Sequence, residues 1–220
     1  MKTNKMGNLY RIERFELGLW GTNCYLVYGQ TPEGPVTLVD AGFEPAALLD
    51  RVDALERRVD RVLLTHAHVD HIAGLGEVRE RHPAMRVFIH DTEAEFLTDA
   101  GLNLSSFLAE PVVDQPPDAF LIAGKSIHIA GVPWQLRHTP GHSPGGVSFY
   151  EPTQGVAIVG DTLFAGGVGR TDFPTSDPPQ LMRSIREQLL TLPNPTRILP
   201  GHGPETTVAN ERATNPWLQG

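Results

Sequence analysis

Apolar and polar positions alternate along this chain in short blocks, and block length separates strands from helices. Leu9–Leu17 and Asn23–Tyr28 read as two antiparallel strands joined across the Gly18–Thr22 turn. Val36–Val39 is a short apolar run that stops at Asp40-Ala41-Gly42. A helix is predicted from Pro45 to about Arg58, because Ala47, Leu48, Val52 and Leu55 recur on one face. Val62–Leu64 reads as a buried strand, followed by a helix from about His71 to Arg81 and a strand over Arg86–Ile89. Asp91–Leu97 is predicted to be helical, and Ala100–Pro117 irregular. In the second half, Ser126–Ala130, Trp134–His138, Gly146–Tyr150 and Val156–Val159 read as strands, Pro179–Leu190 as a helix and Arg197–Leu199 as a last strand. Two strand-rich halves with helices between them predict a layered α/β sandwich, one domain over residues 1–220.

Composition narrows the function classes. Of the 220 residues 40% are hydrophobic, enough for a substantial core. The net charge of −8 argues against a nucleic-acid binder, which needs a basic face. No apolar run approaches the ~18–20 residues of a membrane-spanning helix. The opening MKTNKMGNLY has no apolar stretch behind its lysines, so no secretory signal is expected and the cytoplasm is the expected compartment. Cys24 is the only cysteine, which excludes a disulfide scaffold and leaves a small buried thiol. Nine histidines and 22 glycines point towards turns and metal.

The strongest chemical signal is His66-Ala67-His68-Val69-Asp70-His71, directly after an apolar strand. Imidazole nitrogens and carboxylate oxygens are the donors that borderline divalent metals accept. His66 and His68 can point to one position, and Asp70 and His71, entering a helix, to a second. A chance surface cluster of histidines is the alternative. His142 in Pro140-Gly141-His142, Asp161 in Gly160-Asp161-Thr162 and His202 in Gly201-His202-Gly203 each also end an apolar strand beside glycine. Strand ends are where open α/β architectures place their sites.

His66-x-His68-x-Asp70-His71, with Gly141-His142, Gly160-Asp161 and Gly201-His202 in that order, resembles the metallo-β-lactamase superfamily. Gly160–Phe164 and Gly167–Arg170 are similar to its glyoxalase II-like branch, the hydroxyacylglutathione hydrolases. Glu211-Arg212 and Asn215-Pro216 resemble the compact bacterial members. The resemblance implies a four-layer αβ/βα sandwich with a dinuclear site on one edge. It assigns His66, His68 and His142 to one metal, Asp70, His71 and His202 to the other, and Asp161 to the bridge. Two divalent ions are implied, zinc foremost, with iron or manganese as alternatives. Longer glyoxalase II enzymes add a C-terminal helical region that contacts glutathione, whereas only Gly203–Gly220 follows His202 here. Thr171 and Asp172, not an aromatic, follow Arg170. Both departures bear on the thiol carrier.

The expected activity is hydrolysis of a small-molecule thioester, such as S-lactoylglutathione or a related acyl-thiol, by a hydroxide shared between the metals. Asp70 and Asp161 are the expected catalytic carboxylates, with Asp70 a candidate proton acceptor, and Arg170 is the expected contact to a substrate anion. One alternative is persulfide oxidation at a single iron held by His66, His142 and Asp161, which Gly169–Phe173 resembles, although Pro174 stands where those enzymes have glutamine. Another is a non-catalytic binding module on the same fold. Asp40 is a candidate partner for a ligand histidine, and His138 a candidate support for His142. His82 reads as a helix-end cation, His90 as the close of a strand, and His128 as solvent-facing.

Overall fold

Strand direction explains why distant segments reach one edge. The computed structural model describes residues 9–219, so the reading of a leader-free N-terminus falls largely outside the described residues. The first sheet is built from β1 (Tyr10–Leu17), β2 (Thr22–Gly29), β3 (Val36–Val39), β4 (Val59–Leu63), β5 (Arg86–His90) and β6 (Ala119–Leu121), adjacent in that order. The first two pairings are antiparallel, and β3, β4, β5 and β6 then run parallel. The second sheet contains β7 (Ser126–Ile129), β8 (Val132–His138), β9 (Val147–Glu151) and β10 (Val156–Gly160). A small hairpin of β11 (Leu163–Phe164) and β12 (Gly167–Val168) follows, before β13 (Arg197–Pro200) and β14 (Thr206–Thr207) complete the second sheet. β8 and β10 are both antiparallel to β9, and β13 is parallel to β10. The loops after β8, β10 and β13 therefore leave the sheet at the same edge.

Three apolar layers hold the sandwich together. Tyr25, Val27, Val39 and Leu63 of one sheet meet Trp134, Leu136, Phe149 and Ile158 of the other. The outer face of the first sheet, with Leu26, Leu38, Val62 and Val87, packs under α1 (Ala46–Ala54) and α3 (Leu75–Arg81) through Leu48, Val52, Leu75 and Val78. The outer face of the second, with Ala157, Val159 and Ile198, packs under α4 (Pro178–Ser184) and α5 (Val208–Thr214) through Leu181 and Val208. Both sheets are thus apolar on two faces, which is why β2, β3 and β10 are almost wholly buried. Cys24 lies in this core, where its sulfur accepts the Gly42 amide at 3.1 Å. No described helix is long and apolar enough to cross a membrane.

Several expected elements change at their ends. The helix expected over 71–81 is broken into α2 (Val69–Ile72) and α3. Gly74 sits at the break, where a Cβ would meet the Gly42 carbonyl at 2.4 Å, so the chain turns to pass close beneath that loop. The first helix stops at Ala54 rather than Arg58, because Glu56 takes a left-handed φ of 52°. The helix over 178–190 loosens into a π turn at Ile185–Leu189. Ala119–Leu121, the β11–β12 hairpin and α5 carry too few periodic positions to announce themselves. His82 is buried at the end of α3, and burial pushes its pKa down, so it is not the helix-end cation expected. His128 is exposed.

Candidate metal centre

Each candidate ligand leaves the end of a strand. His66, His68, Asp70 and His71 follow β4, His142 follows β8, Asp161 follows β10 and His202 follows β13. The fold brings donor atoms from all of them into three overlapping groups: His66, His68 and His142; Asp70, His71 and His202; and His66, His71 and Asp161. Within each group the donor atoms lie within 4.8 Å of one another. Asp161 stands between the first two groups. Its carboxylate approaches His71 Nε2 at 3.3 Å, His202 Nε2 at 3.5 Å and His142 Nε2 at 3.6 Å.

Close glycine contacts permit this convergence. A Cβ on Gly201 would lie 2.0 Å from Asp161 Oδ1, and one on Gly169 would lie 1.9 Å from the Asp161 carbonyl. Neither loop would fit beside Asp161 with a side chain.

Partners behind the ligands fix their tautomers. His71 Nδ1 donates to Asp40 Oδ2 at 2.8 Å, His142 Nδ1 to the Arg170 carbonyl at 2.8 Å, and His202 Nδ1 to the Trp20 carbonyl at 3.1 Å. In each, Nε2 is turned towards the site, where His142 Nε2 meets His68 Nδ1 at 2.8 Å and His202 Nε2 meets Asp70 Oδ2 at 3.1 Å. Asp40 also accepts the Thr65 amide and hydroxyl at 2.7 and 2.8 Å, which ties it to the strand that delivers His66. The Thr22 hydroxyl donates to Asp70 Oδ2 at 2.9 Å. His138 makes no such contact with His142. It stacks on His90 at 4.3 Å, and its Nε2 donates to the Pro144 carbonyl at 3.1 Å.

The electrostatics divide the site. Burial opposes charge on His71, but Asp70, Asp40 and Asp161 outweigh it and hold its pKa well above the ordinary imidazole range. Burial pushes His66 well below that range, helped by His71 and His68, and takes His68 down to about 3. Burial also opposes ionisation of Asp70 and Asp161, yet His71 and its neighbours keep both carboxyls below their usual value. One half is thus imidazole-rich and the other anionic.

The donor set fits metal ions. His66 Nε2, His68 Nε2, His71 Nε2 and Asp161 Oδ1 are buried without a hydrogen-bond partner. Buried polar atoms are normally satisfied, so a cluster of unpartnered imidazole nitrogens and a carboxylate oxygen, with a metal able to take the place of the His71 Nε2 proton, calls for a cation.

Sequence reasoning missed three supporting residues. Thr22 is described above. Asn23 Nδ2 donates to the Pro200 and Gly203 carbonyls at 3.0 and 2.9 Å and so brackets the loop that carries His202. Buried Glu93 accepts the Ala67 and Gly145 amides at 2.6 and 2.7 Å, joining the loops that carry His66, His68 and His142. No local signal marks any of them, since their partners lie far away in sequence.

Arg170 and the aromatic residues Trp20, Phe107, Phe164 and Phe173 line the open pocket above these donors. The Arg170 guanidinium is held by Asp172 through a fork of 3.0 and 2.8 Å.

Comparison with known proteins agrees with this geometry. A family model described as the metallo-beta-lactamase superfamily matches residues 17–202. The chain is 46% identical over 160 residues to the "Probable metallo-hydrolase YqgX" of Bacillus subtilis, covering 72% of this chain and 75% of that one. It is 32% identical over 209 residues to the hydroxyacylglutathione hydrolase GloC of Haemophilus influenzae, covering 94% and 97% of the two chains. The crystal structure of BLEG-1 B3 metallo-beta-lactamase superposes with a TM-score of 0.89 at 37% identity, covering 96% of this chain and all of that one. With the family match running from the end of β1 to His202, this chain belongs to the metallo-beta-lactamase superfamily and is a metallo-hydrolase with a His/Asp metal-binding cluster.

Proposed function

We propose that this chain hydrolyses small-molecule thioesters at a two-metal centre. The observation that supports the reading is the convergence of two donor trios beneath an open pocket, with the Asp161 carboxylate within 3.6 Å of histidines from both. The likeness to GloC directs the substrate class towards acyl-thiols. His66, His68 and His142 would hold one ion, Asp70, His71 and His202 the other, with Asp161 between them; zinc suits this donor set, and iron or manganese are the alternatives. When bound, the metals supply a Lewis acid for the acyl carbonyl and a nucleophile from water at neutral pH.

The chain's own groups do the rest. Asp40, the Arg170 carbonyl and the Trp20 carbonyl orient the imidazoles, so little reorganisation accompanies the reaction. Asp70, held by Thr22 at Oδ2, is the group we assign to take the proton released by the attacking water. The thiolate can leave without a proton, because thiol pKa values lie near ~8.5. Arg170 stands on the pocket wall with its guanidinium paired to Asp172.

The test is a thioester panel, with a β-lactam and a persulfide included, run against metal-analysed protein. Two metal equivalents with thioester turnover support the reading. One iron with oxygen uptake on the persulfide replaces it with oxidation, and full metal loading with no turnover of any compound points to a binding module.

A further inference from the structure

The pocket over the metal ligands has a volume of about 750 Å³, and part of its wall comes from chain segments that contribute no ligand. Trp20 comes from the turn between β1 and β2, and Leu104 and Phe107 from the irregular stretch before β6. The Trp20 and Phe107 rings stack at 6.2 Å and 27°, while Trp20 meets Phe43 edge-on at 5.4 Å. Trp20 is 44% exposed and Phe107 69%, so the pair presents uncovered aromatic surface at the mouth of the site. Phe173 lies edge-on to His68 and His142 at 5.1 and 5.7 Å and carries the apolar lining down to the ligands.

Leu104 shows that this lining is built rather than incidental. It takes a φ of 65°, a left-handed conformation that strains a branched side chain and that glycine would adopt freely. Its neighbour Asn103 is firmly tied. Asn103 Nδ2 donates to the Phe96 and Val112 carbonyls at 2.9 Å each, its Oδ1 accepts the Ser105 amide at 2.9 Å, and its carbonyl accepts the Val69 amide at 2.9 Å. The last of these ties the wall to the helix that bears Asp70 and His71. A leucine kept in a strained conformation beside a residue tied by four hydrogen bonds points to a use for that side chain.

Charge on the wall leads to the same conclusion. Among the described residues lining the pocket, Arg170 is the one lysine or arginine. Asp172 occupies its fork, and its guanidinium lies 4.7 Å above the Phe173 ring. The pair presents no net charge to a ligand.

We propose that this wall selects thioesters with an apolar, uncharged arm, with Trp20, Leu104 and Phe107 as specificity-determining residues and Asp172 withholding Arg170 from substrate anions. The inference rests on the thioester reading above and narrows its substrate class. Either the acyl group or the thiol can supply the arm, since the wall recognises only its apolar surface.

The test uses metal-loaded protein and two series of thioesters. In one the acyl chain grows from acetyl to octanoyl on an uncharged thiol; in the other the thiol's alkyl chain grows under a fixed acetyl group. The series that engages the wall gains about two- to fourfold in kcat/KM per methylene until the wall is filled. Phe107→Ala and Trp20→Ala flatten that slope; both side chains are partly in solvent, so the fold is retained. Asp172→Asn raises kcat/KM for the glutathione thioester about two- to fivefold, the scale of an exposed ion pair. Titration calorimetry with a non-hydrolysable octyl thioether gives the readout that does not need turnover. Wild-type protein should bind it with a negative heat-capacity change, and Phe107→Ala should bind it more weakly.

A preference of the wild type for the glutathione thioester overturns the inference and leaves the thioester reading standing. So does a chain-length slope that Phe107→Ala does not alter. If no thioester is turned over at full metal content, the thioester reading fails. The thioether titration then decides the wall: length-dependent binding lost in Phe107→Ala supports it, and equal binding by both proteins overturns it.

Discussion

Glu93 Oε2 accepts the amide of Ala67 at 2.6 Å, at the residue between His66 and His68. Its other oxygen accepts Gly145 N at 2.7 Å, three residues after His142. One buried carboxylate thus sets the separation of two loops that must deliver three imidazoles to one point. Glu93→Gln keeps the volume but turns an N–H against one of these amides. An unsatisfied buried donor costs about 1–3 kcal/mol. The expected outcome is a lower melting temperature for the metal-free protein, with weaker metal retention in a chelator titration. An unchanged melting temperature and unchanged metal retention would contradict the role.

Asp40→Asn addresses the partner of His71. Asparagine tolerates the left-handed φ of 62° at this position, so the backbone is kept. The charge behind His71 Nδ1 is lost, and with it the partner that raises ligand basicity. Metal affinity or activity should fall about 10–100-fold. Competition with a chromogenic chelator measures this directly.

Asp161→Ala should lose turnover and at least one metal equivalent. The motivation is the placement of its carboxylate within 3.6 Å of histidines from both trios. Without it, two cations would face each other with less shared negative charge. Metal stabilises the folded state by mass action, so added metal should raise the melting temperature less in the variant than in wild type. Full metal content with normal turnover would refute the shared role.

Glu211 gives a pH-dependent prediction away from the ligands. Its Oε1 accepts Thr206 Oγ1 and Asn210 Nδ2 at 2.6 and 3.0 Å, and its Oε2 accepts Gly166 N and Asn215 Nδ2 at 2.9 and 2.8 Å. Burial raises the carboxyl pKa, but these donors outweigh it and hold it below 4.5. A depressed folded pKa means that the unfolded chain takes up the proton first as pH falls. The stabilisation is therefore complete above the unfolded value and is lost as pH drops through the folded one. Glu211→Gln should lower stability at neutral pH by about 1.5–3 kcal/mol, and the gap to wild type should narrow in acid. Urea unfolding of both proteins from pH 7 to pH 3 tests this, and a gap that stays constant with pH would sink it.

The tail motif acquires a physical meaning from this network. Glu211 and Asn215 anchor the turn of the β11–β12 hairpin, with Asn215 Nδ2 also donating to the Gly167 carbonyl at 3.0 Å. That hairpin carries Phe164 to the pocket and leads the chain to Arg170.

Short-range order along the chain was enough to mark the strands that carry the donors and the donor types themselves. An apolar run buried on both faces is visible in five residues, and a His-x-His-x-Asp-His run needs no partner to be noticed. What lay beyond local reach was every relation that depends on packing. Ala119–Leu121 becomes a strand because β5 offers it an edge, and the helix after β4 breaks because Gly74 must slide under Gly42. The pairing of the Arg170 guanidinium with Asp172 depends on side-chain geometry that the order of residues does not specify. Glu93 and Asn23 act through amides and carbonyls remote in sequence, and a carboxylate or amide side chain looks the same in a sequence whether it faces water or a buried N–H. The left-handed backbone at Leu104 is likewise invisible to composition, because it belongs to a loop whose ties run from Asn103 to the carbonyls of Phe96 and Val112.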